Sequence, residues 1–211
     1  MIRTLLAAIC ITLSFATVTT AAKAEGLKAV DALEVAREQA YFGELILVRG
    51  GFGVFSRGLD GMAAKLKKRG LNPNVISHVR EDSIVDEIIA NQKKYGSKPV
   101  VLIGHSWGAN SVMKIAAGLR KAKIKVDYVA SFAATNPLPA ASNIRKVTNY
   151  YFSGEGWGKP VRRGRGFRGN LTNVDLSERP GINHFNIDED PTVQKQVIQN
   201  VVRFMPRKRS S

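Results

Sequence analysis

The sequence predicts an α/β domain, in which a mostly parallel β-sheet carries helices on both faces. Short, continuously apolar segments, typical of strands buried on both faces, alternate with segments whose apolar residues recur at helical spacing. Such alternation is typical of parallel strands joined by crossover helices. The length of 211 residues fits one domain with a single sheet, and no internal repeat is apparent.

The first half of the chain contains three predicted strands, at residues 44–48, 74–77 and 99–103. An amphipathic helix is expected at residues 29–40 and a flexible glycine-rich loop at residues 49–53. Two helices separate the strands. The first carries Leu59, Met62, Ala63 and Leu66 on one face and ends before Gly70; the second is capped by Ser83, carries Ile84, Val85, Ile88 and Ile89, and stops near Gly96.

The second half continues the alternation. A helix begins at Trp107, directly after the third strand, and two more apolar strands are predicted at residues 126–132 and 147–152. Residues 154–170, rich in Gly, Arg and Lys, are expected to form a long loop. Asp190 before Pro191 is a typical helix start, and the last helix carries Val193, Val197, Ile198, Val201 and Val202 on its apolar face.

Residues 1–24 have the three parts of a secretory signal peptide: a positive start, an apolar stretch, and small residues before the cleavage point. The apolar stretch is too short to span a membrane. We therefore expect cleavage near Ala24, a single domain over residues 25–205, a basic tail over residues 206–211, and a periplasmic or secreted protein without a transmembrane span. Cys10, the only cysteine, would leave with the signal peptide, so no disulfide is expected.

The composition is strongly basic, with 32 Lys and Arg against 17 Asp and Glu and a formal net charge of +15. Loss of residues 1–24 removes two of these positive charges. A surface of this kind favours anionic partners such as lipid head groups, envelope polymers or nucleic acid. Because no nucleic-acid-binding motif accompanies the charge, nucleic acid is the least favoured of the three.

The segment Gly104-His105-Ser106-Trp107-Gly108 follows the clearest strand and opens a helix. A Gly-x-Ser-x-Gly pattern in that setting is typical of a nucleophile held in a tight strand-to-helix turn, where small flanking residues let strand and helix approach closely. The helix N-terminus then favours a developing negative charge. Ser106 is the candidate nucleophile; an incidental serine in a tight crossover is the alternative.

A serine nucleophile needs a base, and the chain has three histidines, His78, His105 and His184. The side chain of His105 should point away from the nucleophile, and His78 follows an early strand. His184 lies just before the last helix, where a base following its nucleophile in the chain is expected. We predict an oxyanion hole from the backbone N–H of Trp107 and that of Gly51, in the loop after the first strand.

From about Leu45 to Ile198, the chain resembles a bacterial α/β-hydrolase family related to lipases and thioesterases. The resemblance rests on Arg49-Gly50-Gly51-Phe52 with Phe55-Ser56, Ile103-Gly104-His105-Ser106, Asn149-Tyr150-Tyr151 and Asn183-His184-Phe185-Asn186-Ile187. It implies a small α/β-hydrolase fold without a large cap domain. It also implies a serine hydrolase, acting on an ester or thioester through an acyl-enzyme.

The catalytic acid is less clear from the sequence. In lipase-like relatives, the resemblance implies an acid at the end of the strand after the nucleophile helix, but that position holds Ala133. Asp175, nine residues before His184, is the favoured candidate. Glu155, after the next strand, is the second, and Asn136 offers only an amide. A weak enzyme is therefore a possible outcome.

The predicted mechanism needs no cofactor, and no metal-ligand spacing is evident. The basic residues 159–168 precede His184 and would hold a phosphate or carboxylate of a substrate, or would simply be a solvated loop. The alternative function is a non-catalytic or weakly active hydrolase-fold protein that binds anionic envelope polymer or lipid through its basic face.

Overall fold

In a computed structural model of the chain, the structure describes residues 42–51, 56–154 and 157–205, with the single positions Lys23 and Lys28. The chain divides into two units, residues 1–41 and 42–211, and every element below belongs to the second. The predicted signal peptide, the predicted helix at residues 29–40 and the basic tail at residues 206–211 lie outside the described residues, those two positions apart.

Strands and helices alternate as far as the third helix, after which three strands follow one another before the last helix. The strands are β1 (Glu44–Arg49), β2 (Asn74–Ser77), β3 (Val100–His105), β4 (Tyr128–Phe132), β5 (Lys146–Tyr151) and β6 (Asn170–Asp175). The helices are α1 (Arg57–Lys67), α2 (Glu81–Tyr95), α3 (Trp107–Lys121) and α4 (Pro191–Phe204). The strands form one six-stranded sheet in the order β2-β1-β3-β4-β5-β6, and every neighbouring pair is parallel. The predicted α/β class is thus confirmed.

The two faces of the sheet are covered by different helices. Because successive side chains of a strand point to opposite faces, Leu45 and Leu47 pack with α1 and α4, whereas Ile46 and Val48 pack with α2 and α3. The central strand β3 is buried along its whole length. Strands that are apolar at every position are therefore the ones with a helix on each side.

One strand was missed by the sequence prediction. β6 follows the long loop and pairs with β5 at the edge of the sheet, where most of its side chains are exposed or half-buried. Only Leu171 and Val174 are apolar, and polar residues separate them, so the apolar run expected of a buried strand is absent. Residues 157–169 do form the predicted loop.

The second helix also starts earlier than predicted. A short 3-10 turn (His78–Arg80) leads into α2 at Glu81, and the Ser83 hydroxyl donates to the backbone oxygen of Arg80 at 3.0 Å. None of the described helices combines the length and the apolarity that crossing a bilayer requires.

Candidate active site

Ser106 lies at the carboxyl edge of the sheet, between the end of β3 and the start of α3. Its backbone has φ 56° and ψ −118°, a conformation that non-glycine residues rarely adopt. The Ser106 N–H donates to the backbone oxygen of Phe132 at 2.9 Å, and its own carbonyl accepts from Ala109 in the first turn of α3. Strand and helix together hold the serine in its strained turn.

The two flanking glycines make this turn possible. A Cβ on Gly104 would lie 2.3 Å from the backbone oxygen of Gly108, and one on Gly108 would lie 2.1 Å from that of Val48. Neither distance can accommodate a side chain. The elbow thus packs α3 directly against β1 and leaves the serine hydroxyl facing outward.

His184 lies in the connection between β6 and α4, and its Nε2 is 3.0 Å from Ser106 Oγ. The imidazole belongs to a buried residue, and burial lowers its pKa. Because the lowered pKa favours the neutral ring, Nε2 can accept the proton of the Ser106 hydroxyl. The structure therefore brings together the predicted nucleophile and the predicted base.

Asp175 is not brought to the base. Its carboxylate accepts hydrogen bonds from the Ser153 N–H at 3.2 Å and from the Ser177 N–H and hydroxyl at 3.0 and 2.7 Å. The hydroxyls of Ser153 and Ser177, together with the Ser177 N–H, hold the pKa of the carboxyl below its usual range. Asp175 therefore closes the turn after β6. It forms no hydrogen bond with His184, so its predicted role as the acid lacks structural support.

The other ring nitrogen of the base has no hydrogen-bond partner among the described residues. His184 Nδ1 is buried, and no atom of the described residues forms a hydrogen bond with it. The Asn136 N–H donates to the side chain of Asn110, which places this candidate beside α3. Glu155, the second candidate acid, lies outside the described residues.

At the position where the resemblance implies an acid, Ala133 is fully buried with φ 49°. Its N–H donates to Tyr150 at 2.8 Å, and a Cβ on Gly158 would lie 2.9 Å from its Cα. A longer side chain at position 133 would meet the segment that contains Gly158.

The glycine pair after β1 lies over the elbow. A Cβ on Gly50 would be 2.9 Å from that of Ser106, and one on Gly51 would be 2.8 Å from two ring carbons of Trp107. Only glycine allows the backbone so close. The two predicted oxyanion residues, Gly51 and Trp107, are thus adjacent to each other and to the nucleophile.

A buried chain of hydrogen bonds lies behind the catalytic pair. The Gly50 N–H donates to Ser56 Oγ at 2.9 Å, and this hydroxyl is 2.9 Å from His105 Nδ1. His105 Nε2 is 2.7 Å from the backbone oxygen of His184. Because a carbonyl only accepts, Nε2 must be the protonated nitrogen and Nδ1 accepts from Ser56. Burial lowers the pKa of His105 to about 4, which keeps the ring neutral.

Asp188 lies beneath this chain, with Oδ2 accepting the Leu59 N–H of α1 at 3.2 Å. Oδ1 is 4.0 Å from His105 Nδ1, beyond hydrogen-bond distance, and has no such partner among the described residues. Burial raises the pKa of this carboxyl to about 7. Gln194 of α4 donates to the backbone oxygens of Asp188 and Gly58, so the base loop is fixed against α1.

Aromatic rings surround the base. Trp157 lies 5.0 Å from the His184 ring centroid and Phe185 lies 5.3 Å from it, while the two rings are 6.2 Å apart. Across the serine, Trp107 packs edge-on against His78 at 5.3 Å. By contrast, the aromatic residues at 150 and 152 are buried in the core.

The basic loop, residues 159–168, begins next to these aromatic rings and runs along the edge of the structure. Its start is fixed by Asn149, whose side-chain NH₂ donates to the Lys159 backbone oxygen at 3.0 Å and to Asn173 at 2.9 Å. Asn173 in turn exchanges hydrogen bonds with the backbone of Val161. The arginines of the basic loop are exposed.

Sequence reasoning assigned no role to Ser56, His105 or Asp188. Their positions offered weak signals: Ser56 follows the glycine loop, His105 precedes the nucleophile, and Asp188 lies four residues after the base. Their contacts join three loops that are distant in the chain, so no local pattern predicts them.

Comparison with models of known protein families gives no match, and no curated protein matches the sequence. Among the described residues, no group of three or more His, Cys, Asp or Glu side chains is arranged to hold a metal ion.

Proposed function

We propose that the protein is a serine hydrolase that cleaves an ester or thioester through an acyl-enzyme at Ser106. The observation that carries the proposal is the 3.0 Å contact between Ser106 Oγ and His184 Nε2, with the serine held at φ 56° in a strand-to-helix turn. Strain of this kind is retained where the surrounding structure enforces it, as at functional sites. A buried neutral imidazole beside the hydroxyl supplies the base.

In the proposed reaction, Ser106 Oγ attacks the acyl carbonyl while His184 Nε2 takes the hydroxyl proton. The tetrahedral oxyanion is stabilised by the backbone N–H groups of Trp107 and Gly51 and by the N-terminus of α3. His184 then donates the proton to the departing alcohol or thiol. Water, deprotonated by the same imidazole, hydrolyses the acyl-enzyme and returns the serine.

A second candidate function follows from His184 Nδ1, which no described residue bonds. Without an acid, the imidazolium formed in the reaction is less stabilised, and loss of that partner can cost on the order of 10⁴ in kcat. The alternative is therefore a weakly active or non-catalytic protein that binds anionic lipid or envelope polymer.

Labelling with a fluorophosphonate probe tests the proposal. We expect wild type to be labelled, Ser106→Ala to be unlabelled, and His184→Gln to be labelled at least about 100-fold more slowly. Ser111→Ala, in α3, is the matched control and should label like wild type. Wild-type protein that stays unlabelled beside an active serine hydrolase would refute the enzyme and favour the binding protein.

We further propose that the protein acts outside the cytoplasm, because residues 1–24 match the pattern of a secretory signal peptide. N-terminal sequencing of the protein recovered from the periplasm or medium should find the chain beginning near Glu25. Recovery of a chain that still begins at Met1 would contradict this.

A further inference from the structure

The exposed large apolar side chains of the described residues lie in the connections that leave the carboxyl edge of the sheet. They are Val79, Trp107, Leu138, Trp157 and Phe185, with exposed fractions of 75%, 47%, 42%, 51% and 51%. Each follows the carboxyl end of a different strand, from β2 to β6 in order. We propose that this edge, which surrounds Ser106, is a docking surface for an anionic lipid bilayer.

The arrangement around the catalytic pair supports this inference. The rings of Trp157 and Phe185 contact the His184 ring, and Trp107 is the residue after Ser106, so three exposed aromatic residues lie beside or next in sequence to the catalytic pair. Exposing tryptophan and phenylalanine in a cluster is costly in water, but tryptophan is favoured at the level of lipid head groups. When this surface inserts the rings into a bilayer, the Ser106 hydroxyl lies at the depth of the acyl esters of the lipids.

The charge specifies the kind of lipid. The chain carries a net charge of +15, and the segment beginning at Trp157 continues with exposed Lys159 and Arg162. The Lys159 N–H donates to Ala134, so this segment stays beside the strand end next to the elbow. Cations beside inserted rings favour a bilayer with anionic head groups over a neutral one.

The inference deepens the proposed function, on which it depends, by naming an acyl lipid presented at a membrane surface as the substrate class. A soluble anionic polymer offers charge but no apolar phase, so it leaves the three rings in water. The ring cluster is therefore the feature that favours a membrane.

The test uses the full-length mature chain with Ser106→Ala, so that no lipid is hydrolysed. Trp107 and Trp157 are the only tryptophans of the protein, and both lie at this edge. Vesicles of phosphatidylcholine with a minority of phosphatidylglycerol should therefore shift the tryptophan emission to shorter wavelength, and brominated acyl chains should quench it. Pure phosphatidylcholine should bind more weakly, and added salt should weaken the binding to anionic vesicles.

Two sets of variants locate the surface. Trp157→Ser and Phe185→Ser should each weaken vesicle binding by about tenfold, the value expected for losing one buried aromatic anchor. Tyr95→Ser, at the opposite edge of the sheet, should not. Lys159→Gln with Arg162→Gln should weaken binding more than Lys93→Gln with Lys125→Gln, which removes the same charge near the amino ends of the strands.

The inference is overturned if anionic vesicles do not bind, or if they bind without an emission shift and regardless of Trp157 and Phe185. It is also overturned if soluble polyphosphate binds as tightly as vesicles and leaves the tryptophan emission unchanged. Fluorophosphonate labelling of the active chain in solution separates the two proposals. Labelling without vesicle binding refutes only the docking surface, whereas vesicle binding without labelling refutes the hydrolase and leaves a lipid-binding protein.

Discussion

His105 Nε2 donates a hydrogen bond of 2.7 Å to the backbone oxygen of His184, so the residue before the nucleophile holds the loop that carries the base. The other nitrogen of the ring reaches Ser56, which accepts the N–H of Gly50. One imidazole thus links the nucleophile turn, the base loop and the glycine loop. All three must keep their relative positions for attack on a carbonyl.

Replacing this ring should lower turnover more than substrate binding. His105→Phe retains most of the volume but loses both hydrogen bonds, and we expect kcat to fall by about 10- to 100-fold with KM within about threefold. His78→Phe is the matched control, because it retains a ring against Trp107 and should leave kcat nearly unchanged. Steady-state hydrolysis of a short p-nitrophenyl ester measures both. An unchanged kcat in His105→Phe would show that the base loop holds its place without this ring.

The identity of the acid can be decided by two amide substitutions. Because the Asp175 carboxylate is engaged by Ser153 and Ser177, Asp175→Asn should change kcat/KM by less than about threefold. If Glu155 supplies the acid, Glu155→Gln should lower kcat by about 10²- to 10⁴-fold. A large loss in Asp175→Asn alone would restore Asp175 as the acid. If neither variant loses activity, the site works without a carboxylate.

The pH profile should report the buried base. Burial lowers the pKa of His184 below its ordinary value of 6.5. The imidazole therefore stays neutral at pH values somewhat below 6.5, and activity should persist there as well. We expect the rising limb of kcat/KM to have a midpoint below 6.5. A carboxylate paired with Nδ1 would stabilise the imidazolium and raise the midpoint, so a value near 7 would indicate a partner for Nδ1 beyond the described residues.

Asp188 should make the folded protein less stable at alkaline pH. Its pKa is raised to about 7 by burial, so the folded state favours the protonated form. The stabilisation by the buried, protonated carboxyl is complete below pH 3.8, the ordinary pKa of the group. It is lost as the pH rises through about 7. Asp188→Asn retains an acceptor for the Leu59 N–H and removes the ionisation, so it should stabilise the protein by about 2–4 kcal/mol at pH 8.

Urea denaturation of Asp188→Asn at pH 5 and pH 8 measures this effect, with the exposed carboxyl change Glu178→Gln as control. His105 affects stability in the opposite pH direction. Its pKa is lowered to about 4, so its contribution to the free energy of unfolding is complete above pH 6.5 and is lost as the pH falls through about 4. A gain for Asp188→Asn that is larger at pH 5 than at pH 8 would contradict the assignment.

The elbow glycines should tolerate no methyl group. Gly108→Ala places a Cβ 2.1 Å from the Val48 oxygen, so we expect a loss of at least about 3 kcal/mol in the free energy of unfolding. Gly61, inside α1, has open space within 4 Å of the point where a Cβ would lie, and Gly61→Ala should stabilise by about 0.5–1 kcal/mol. Thermal melts of the two variants compare the same change in opposite surroundings; equal effects would show that α3 can move away from β1.

The parts of the fold that the sequence predicts are those with a local pattern. β3 is apolar at almost every position because helices cover both its faces, and the glycine spacing around Ser106 predicts the tight turn. β6 has no such pattern, since an edge strand is specified mainly by backbone pairing with β5. Its polar side chains would fit a loop equally well.

The candidate site divides along the same line. Ser106 and His184 could be predicted because their order in the chain and their places after strands are informative. The burial of Asp188 and the engagement of Asp175 depend on contacts across more than one loop, so charge and position alone mislead. Trp157 has no informative local pattern either, and only the structure places it, exposed, against the base.

Ala133 and Gly158 constrain the order in which this site could change over evolution. A carboxylate at position 133 would have to fit into a fully buried site beside Gly158, where an added Cβ would already lie 2.9 Å from the Ala133 Cα. A single Ala133→Asp substitution therefore carries a folding penalty before it can offer any catalytic gain. The segment from Trp157 to Lys159 must shift first, and that shift alters the aromatic surroundings of His184. Epistasis between these two small residues makes the source of the acid hard to exchange.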